Sequence, residues 1–444
     1  MGLGKFGGGA DTAAFAAKAG ARVTVTDKAP PFRLYSSLEQ LCGINDIEYQ
    51  IGFHTPSTFE TADIVVKNPA VPNNHSLLDL ARKKGAEVTT RINLFMELAP
   101  PETKIIGITG SNGKSTTASL TAHLLSAAAE SGRAGFRKAW LSGNIGNRPL
   151  LRSLNQIRPD DVVVLELSSF QTEMLPLSGK APDISILTNL TPNHLDRHGT
   201  FESYCSAKEQ MFILQNSSRN KTVISIFNSE DPVSRSWLEK YRKQTDRISI
   251  GFSPDLVSGE LSRSFRLPGR ANRSNLAAAA AAARALGVRE KDMTRCLPGF
   301  CPLPHRLEPV ANINGVDWYN DSISTTPEST IAALEAFDSP GIIIAGGYDK
   351  GIDLTAMARK AAAEARAVIV MGATANTIAS LVLREKPSAT LISAASLSEA
   401  VDAACRLAEP GDAVILSPGC ASYDMFESFR QRGNEFKRLV LEKS

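Results

Sequence analysis

Gly107-Ile-Thr-Gly-Ser-Asn-Gly-Lys-Ser-Thr-Thr117 begins inside an apolar, strand-like run (residues 104–109) and leads into helical periodicity over residues 116–129. A strand, then glycines, then Lys-Ser at a helix start is the order in which backbone N–H groups and a cation converge on phosphate oxygens. The spacing is unusual. A phosphate loop ordinarily has four residues between its first glycine and Gly-Lys, and Gly107 stands one residue too far from Gly113. The tighter core is Gly110-Ser111-Asn112-Gly113-Lys114-Ser115. In it Lys114 offers positive charge to the β/γ-phosphates, and the hydroxyl of Ser115 or Thr116 offers a ligand to Mg²⁺. The stretch predicts an ATP-using enzyme with an α/β domain around the loop.

Outward from the loop, strands at residues 161–167 and 183–190 and a helix over residues 275–286 continue the alternation that builds a mostly parallel sheet. Pro100-Pro101 precedes this region and Pro298-Gly-Phe-Cys-Pro302-Leu-Pro304 follows it, so both are read as boundaries. Beyond the second, strand-like runs at 341–346, 367–371 and 413–416 alternate with helices. Before the first, Gly2-Leu-Gly4-Lys5-Phe6-Gly7 leads into an alanine-rich helix (residues 11–19) and a strand (21–27) ending in Asp27. That is half of a dinucleotide-binding unit, with glycines for a pyrophosphate and an acid for a ribose hydroxyl. The strand that should precede Gly2 is almost absent. The expected fold is α/β in three domains: Rossmann-like over residues 1–100, a central ATPase-type domain with a mostly parallel sheet over 101–302, and a Rossmann-like α/β domain over 303–444.

A length of 444 residues suits three cores. The net charge of +3 gives no reason to expect nucleic acid or a membrane surface as partner. The six cysteines lack the paired spacing of a zinc site and are expected as free thiols. No apolar run is long enough to span a bilayer and no export signal opens the chain, so a cytoplasmic monomer is expected.

Two further segments carry chemistry. Glu166 ends the second strand of the central domain, where a carboxylate can meet a metal beside the phosphate loop; the plainer alternative is a solvent-facing strand end. Thr188-Asn-Leu-Thr-Pro-Asn-His194-Leu-Asp-Arg197-His198 places a histidine and charges just past another strand end.

Together with Glu166-Leu-Ser-Ser-Phe-Gln171, Ser206-Ala-Lys208, Pro304-His-Arg306 and the C-terminal run 416–436, which contains Ser417-Pro-Gly-Cys-Ala-Ser422, these motifs resemble the Mur ligase family over nearly the whole chain. The C-terminal run resembles the members that add glutamate. The resemblance implies ATP-dependent amide formation between UDP-N-acetylmuramoyl-L-alanine and glutamate, expected as D-glutamate, through an acyl phosphate, in peptidoglycan precursor synthesis. It implies that Lys114 grips phosphate, that Ser115 and Glu166 hold one Mg²⁺, and that His194 holds a second. Lys208, which the sequence alone makes a solvated helix residue, aligns with a lysine that relatives carry as a carbamate. Asn272 and Asn275 match positions near adenine and ribose, and Arg306 and Asp321 match ATP contacts. Gly4, Lys5, Phe6, Asp27, Asn144 and Gln171 match the UDP-linked substrate, whereas Thr325, Lys350, Ser422 and Phe429 match glutamate. Ile323 departs from the pattern, since many relatives place a lysine there. The same reaction with L-glutamate, and a ligase of another step or of the folylpolyglutamate type, are the alternatives; a nucleotide-binding protein without catalysis is the remaining one.

Overall fold

A computed structural model describes residues 1–5, 7–145, 150–217, 223–337 and 341–443. The chain divides into two compact units, residues 1–264 with 274–297, and residues 265–273 with 298–444.

In the first unit the amino-terminal hundred residues form two parallel strand pairs: β1 (Val23–Asp27) with β2 (Ile47–Ile51), and β3 (Ile64–Val66) with β4 (Glu87–Thr89). The opening residues lie between the pairs. Gly2 N donates to Thr26 O (2.8 Å), Met1 N to Val66 O (2.9 Å) and Asn68 N to Met1 O (2.9 Å). These residues thus bond to the ends of both pairs, and Leu3 is buried with Ala10, Ala14 and Val25.

The rest of this unit is built on a six-stranded parallel sheet. Its strands are β5 (Lys104–Thr109), β6 (Ala139–Gly143), β7 (Val162–Glu166), β8 (Ile184–Leu187), β9 (Val223–Asn228) and β10 (Arg247–Phe252), in the order β10-β9-β8-β5-β7-β6. Strands buried on both faces need continuous apolar runs, and Val162–Leu165 and Ile106/Ile108 are fully buried. From β5 the chain passes to one side (β6, β7) and then crosses to the other (β8, β9, β10). The order therefore reverses at β5, where the loops leave a crevice at the carboxyl ends of the strands.

The second unit holds another six-stranded sheet, β11 (Glu308–Ile313), β12 (Val316–Asn320), β13 (Ile342–Ala345), β14 (Ala367–Met371), β15 (Thr390–Ala394) and β16 (Ala413–Leu416), ordered β11-β12-β16-β13-β14-β15. It is parallel except for the β11–β12 hairpin, which the sequence reading did not foresee. β13 and β16 are wholly buried, with helices packed over Ile343 and Val370 on one face and Ile344 and Leu416 on the other.

Candidate functional site

The phosphate loop is shorter than its motif. Gly107 lies within β5, paired with Leu165 and Ser185, so the supernumerary residue is strand and the loop proper is Gly110–Gly113. Gly110 has φ 146° and Gly113 φ 77°, both in the left-handed region that glycine tolerates. The loop after β8 clamps it. Ser111 N donates to Asn189 O (2.8 Å), Asn112 N to Asn189 Oδ1 (2.9 Å), and Thr188 Oγ1 and Asn189 Nδ2 both donate to Asn112 O (2.6 and 3.1 Å). Ser111 Oγ donates to Thr191 O (2.9 Å) and meets the Tyr204 hydroxyl (3.0 Å). Lys114 opens the helix Lys114–Glu130 and folds its Nζ back to Ser111 O (2.7 Å). Ser115 and Thr116 share this first turn, where helix N–H groups and the macrodipole favour an anion. A Cβ on Gly110 would collide with Thr188 Oγ1 and press on Asn189 N at 3.1 Å. Gly110→Ala is expected to weaken ATP binding about tenfold by displacing this clamp; titration with a fluorescent ATP analogue measures it, and wild-type affinity would show that the clamp does not shape the site.

Glu166 and Lys208 both lie buried near the loop: Lys208 is not the solvated helix residue that sequence alone suggests, and Glu166 is not the solvent-facing strand end that stood as the alternative to a metal contact. Glu166 is 2% exposed; its Oε1 accepts from Asn144 Nδ2 (3.2 Å), while Oε2 is buried without a hydrogen-bond partner. Such an atom is costly unless something else compensates it. Lys208, in the helix Phe201–Ile213, is 1% exposed; its Nζ donates to Thr109 Oγ1 (3.2 Å) at the end of β5 and lies 4.8 Å from the Tyr204 ring centre. Burial holds its pKa well below the usual lysine value and the neighbouring Lys114 lowers it further, against an opposing pull from Glu166.

His194 is exposed and adopts a left-handed backbone (φ 53°) just before the short helix Leu195–His198, and its ring packs 5.1 Å from that of Phe170. Non-glycine residues hold that conformation at a cost, and such positions collect at functional loops. Asn275 is buried, accepts from Thr117 Oγ1 (3.2 Å) and lies against Gly113, so it is brought to the phosphate loop. Gln171 is committed locally: its Oε1 caps the helix Ser169–Thr172 through Ser168 N and Oγ (2.9 and 3.0 Å). Asn144 is exposed beside Glu166.

At the glycine turn, Gly4 N donates to Asp27 Oδ2 (3.0 Å) and Ala29 N to Asp27 Oδ1 (2.8 Å), so Asp27 pins the turn to the end of β1. Lys5 is exposed, and Phe6 lies outside the described residues.

In the second unit, Asn272 Nδ2 donates to Pro268 O (2.8 Å). His305 (φ 67°) and Leu307 (φ 40°) both have left-handed backbones and flank Arg306, whose Nε is buried with no hydrogen-bond partner. Asp321 is buried and accepts from Leu307 N (3.0 Å), Ser324 Oγ (2.5 Å) and Ser417 Oγ (2.8 Å). Burial pushes its pKa up to about 6 against these hydrogen bonds and the Arg306 charge. Ser417 and Ser324 tie the loops after β12 and β16 together, and these loops carry Thr325 and the buried Ser422. Phe429 opens the helix Phe429–Leu441, its ring 5.9 Å from His305; Lys350 is exposed in the loop after β13, and the Ile323 N–H is bound to His305 O (3.1 Å).

Sequence reasoning assigned no role to Thr188, Asn189 and Tyr204, which shape the phosphate loop, or to Arg432, which is fully buried beneath the Ser322 and Cys420–Ala421 backbone. Thr188 and Asn189 stood within a quoted motif, and the strand preceding them was the available signal.

Residues 108–283 match the family described as Mur ligase middle domain, and residues 305–420 match the Mur ligase, glutamate ligase domain. A UDP-N-acetylmuramoylalanine--D-glutamate ligase of Roseiflexus sp. (strain RS-1) is 36% identical, with 99% of this chain and 97% of that protein aligned. The protein of the same name from Solibacter usitatus is also 36% identical, over 97% and 95%. Among solved structures, the UDP-N-acetylmuramate-alanine ligase MurC of Thermotoga maritima superposes with a TM-score of 0.57 at 17% identity, covering 100% of this chain and 98% of that one. The MurF ligase of Thermotoga maritima, solved in complex with ADP, gives 0.56 at 16% identity over 87% and 99%. These two likenesses bear out the α/β fold, and the two full-length relatives bear out the family: this chain belongs to the Mur ligases, among the UDP-N-acetylmuramoylalanine–D-glutamate ligases.

Proposed function

We propose that this chain joins D-glutamate to UDP-N-acetylmuramoyl-L-alanine with cleavage of ATP to ADP and phosphate. What carries the reading is the grouping of the buried Lys208 and Glu166 with the half-buried Lys114 at the carboxyl ends of β5 and β7, beside a loop whose Gly110 and Gly113 have no room for side chains. An alanyl carboxylate oxygen attacks the γ-phosphorus, the bond to the β,γ-bridging oxygen breaks, and ADP leaves. The glutamate amine then attacks the acyl carbon, the C–O bond to phosphate breaks, and the amine loses a proton as the amide forms. Both steps build negative charge, so the chain's main task is to aim positive charge and N–H dipoles at the transferring group. Lys114 and the loop N–H groups do this for the phosphates. Asn275 sits on the same loop and Asn272 is assigned with it to adenine and ribose; Arg306 and Asp321 are assigned to ATP.

The donors present suit Mg²⁺. Among the described residues no group of three or more His, Cys, Asp or Glu side chains is arranged to hold a metal, and Mg²⁺ is commonly held by one or two protein oxygens with waters and substrate phosphates. Ser115 and the unpartnered Oε2 of Glu166 would hold one ion; His194 and a carbamylated Lys208 would hold a second. When bound, Mg²⁺ supplies positive charge opposite the transferring phosphoryl oxygens.

Gly4, Lys5, Asp27, Asn144 and Gln171 are assigned to the UDP-linked substrate, and Thr325, Lys350, Ser422 and Phe429 to glutamate. Lys350 supplies a cation for a carboxylate and the hydroxyls supply donors. The domain limits 1–100, 101–302 and 303–444, a monomeric state and a cytoplasmic location belong to the same reading. No helix among the described residues is long and apolar enough to cross a membrane.

Phosphate release from ATP, measured with UDP-N-acetylmuramoyl-L-alanine and either D-glutamate, L-glutamate or no amino acid, tests the proposal. Release is expected with D-glutamate alone. Equal release in all three would sink the ligase reading, and release with L-glutamate alone would correct the stereochemistry.

A further inference from the structure

Arg91, the first residue of the helix Arg91–Leu98, is half-buried and reaches two other segments with its guanidinium. Nη2 donates to Gly143 O (2.9 Å) and Nη1 reaches Asp11 Oδ2 (3.5 Å). A Cβ on Gly8 would stand 3.5 Å from Arg91 Cζ and Nε, so the guanidinium lies against the first residue of the helix that follows the glycine turn. Asp11, in turn, is immobilised. It is 1% exposed and accepts from Leu150 N (2.9 Å), Leu151 N (3.0 Å), Arg152 N (3.2 Å) and Arg152 Nε (3.2 Å).

On its other side Arg91 holds the Gly143 carbonyl. Gly143 has φ 102°, and a Cβ there would strike the Glu166 backbone. The next residue is bound to Glu166 twice, through Asn144 N to Glu166 O (2.8 Å) and Asn144 Nδ2 to Glu166 Oε1 (3.2 Å). One half-buried guanidinium therefore connects the helix start at Gly8 to the carboxylate whose second oxygen has no partner. Hydrogen bonds in a water-poor interior are stiff, and those from a charged donor are the stronger ones.

We infer that Arg91 is a positioning residue that couples occupation of the glycine turn by the diphosphate of the UDP-linked substrate to the orientation of Glu166 toward its divalent cation. The inference rests on the assignment of Glu166 as a metal ligand and of the glycine turn to that substrate. A diphosphate at the turn draws the guanidinium by charge, and the guanidinium carries Gly143 and Asn144 with it. Cation affinity then rises when the UDP-linked substrate is bound, and by linkage the reverse holds.

The test uses the full chain, with Mn²⁺ as probe, ADP present, and bound Mn²⁺ read by electron paramagnetic resonance with and without UDP-N-acetylmuramoyl-L-alanine. The wild type is expected to bind Mn²⁺ at least about fivefold more tightly with the UDP-linked substrate. Arg91→Met should abolish that enhancement while leaving metal-free ADP affinity unchanged, and Arg91→Lys should restore part of it. Arg91→Gln keeps a donor for Gly143 O without the charge and decides the matter if Arg91→Met does not fold; it too should lose the enhancement. Glu166→Gln should weaken Mn²⁺ binding in both conditions, and unchanged binding there would remove the ligand assignment itself. If Glu166→Gln weakens binding but the Arg91 variants keep the wild-type enhancement, the coupling role of Arg91 is overturned.

Discussion

Lys208→Ala is expected to slow D-glutamate ligation by about a thousandfold, on the scale of losing a main electrostatic contact to a transition state, while the chain stays folded. The lysine is 1% exposed and donates to Thr109 Oγ1. Burial and the adjacent Lys114 charge both disfavour its ammonium form. A lysine kept neutral is a nucleophile toward CO₂: the amine adds to the carbon, a proton leaves, and the site gains a carbamate anion. The sign of the interaction with Lys114 then reverses from repulsion to attraction. Three results follow for the intact enzyme. Exhaustive removal of CO₂ should lower the rate and bicarbonate should restore it; ¹³C-bicarbonate should give a carbamate resonance that Lys208→Ala lacks; and acetate or formate should partly rescue that variant by placing a carboxylate in the vacated space. Lowering pH should reduce the rate in the wild type, because protonating the amine removes the nucleophile. Unimpaired turnover in Lys208→Ala would refute the role, and a full loss that neither carboxylate nor bicarbonate touches would leave the lysine as a phosphate ligand without the carbamate.

How the residues around Lys208 could and could not be read from sequence has a physical pattern. β5, β14 and β16 were legible to the residue because strands buried on both faces must be unbroken apolar runs. β9 (Val-Ile-Ser-Ile-Phe-Asn) and β10 (Arg-Ile-Ser-Ile-Gly-Phe) were passed over. Two of their buried polar members, Ser225 and Arg247, hydrogen-bond each other at 3.1 Å, a pairing no linear pattern displays. The phosphate loop was recognisable from Gly113-Lys114-Ser115, which are contiguous. The clamp on it was not, because Thr188 and Asn189 lie more than seventy positions away and act through a hydroxyl, a side-chain amide and one carbonyl on the backbone of Ser111 and Asn112. Burial was the largest gap. Lys208 on a helix reads as solvated and Glu166 at a strand end reads as a metal contact or a solvent-facing end, and only the sheet's topology, which brings the helix Phe201–Ile213 to the end of β5, makes one a depressed-pKa amine and the other a carboxylate with an uncompensated oxygen.

Arg432→Met is expected to destabilise the second unit by about 3–5 kcal/mol, the scale of leaving several buried acceptors without a donor, and to raise the glutamate KM more than tenfold in whatever fraction remains folded. Arg432 is fully buried, yet none of the ion pairs among the described residues involves it. Its donors go instead to Ser322 Oγ (3.0 Å), Ser322 O (3.0 Å), Cys420 O (3.1 Å) and Ala421 O (3.3 Å). Burial lowers its pKa to about 10, which still leaves it charged at neutral pH. The acceptors belong to two loops. One carries Asp321 and Thr325, the other Ser417 and Ser422, and Gly347 at φ 150° lets the Ala421 carbonyl and the guanidinium approach together. Methionine fills much of the volume but leaves three carbonyls and a hydroxyl without their donor, each costing about 1–3 kcal/mol if water cannot reach it. Loops that lose their shared donor separate, and Ser422 moves away from Thr325. A merely structural role would lower stability and leave the glutamate KM of the folded enzyme unchanged, so urea unfolding and glutamate kinetics must be measured on the same variant. Arg432→Lys should recover part of the stability, because an ammonium has three donors but not the planar fork that spans both loops. A normal glutamate KM in Arg432→Met, at any stability, would mean that the two loops hold their geometry through Ser324, Asp321 and Ser417 alone.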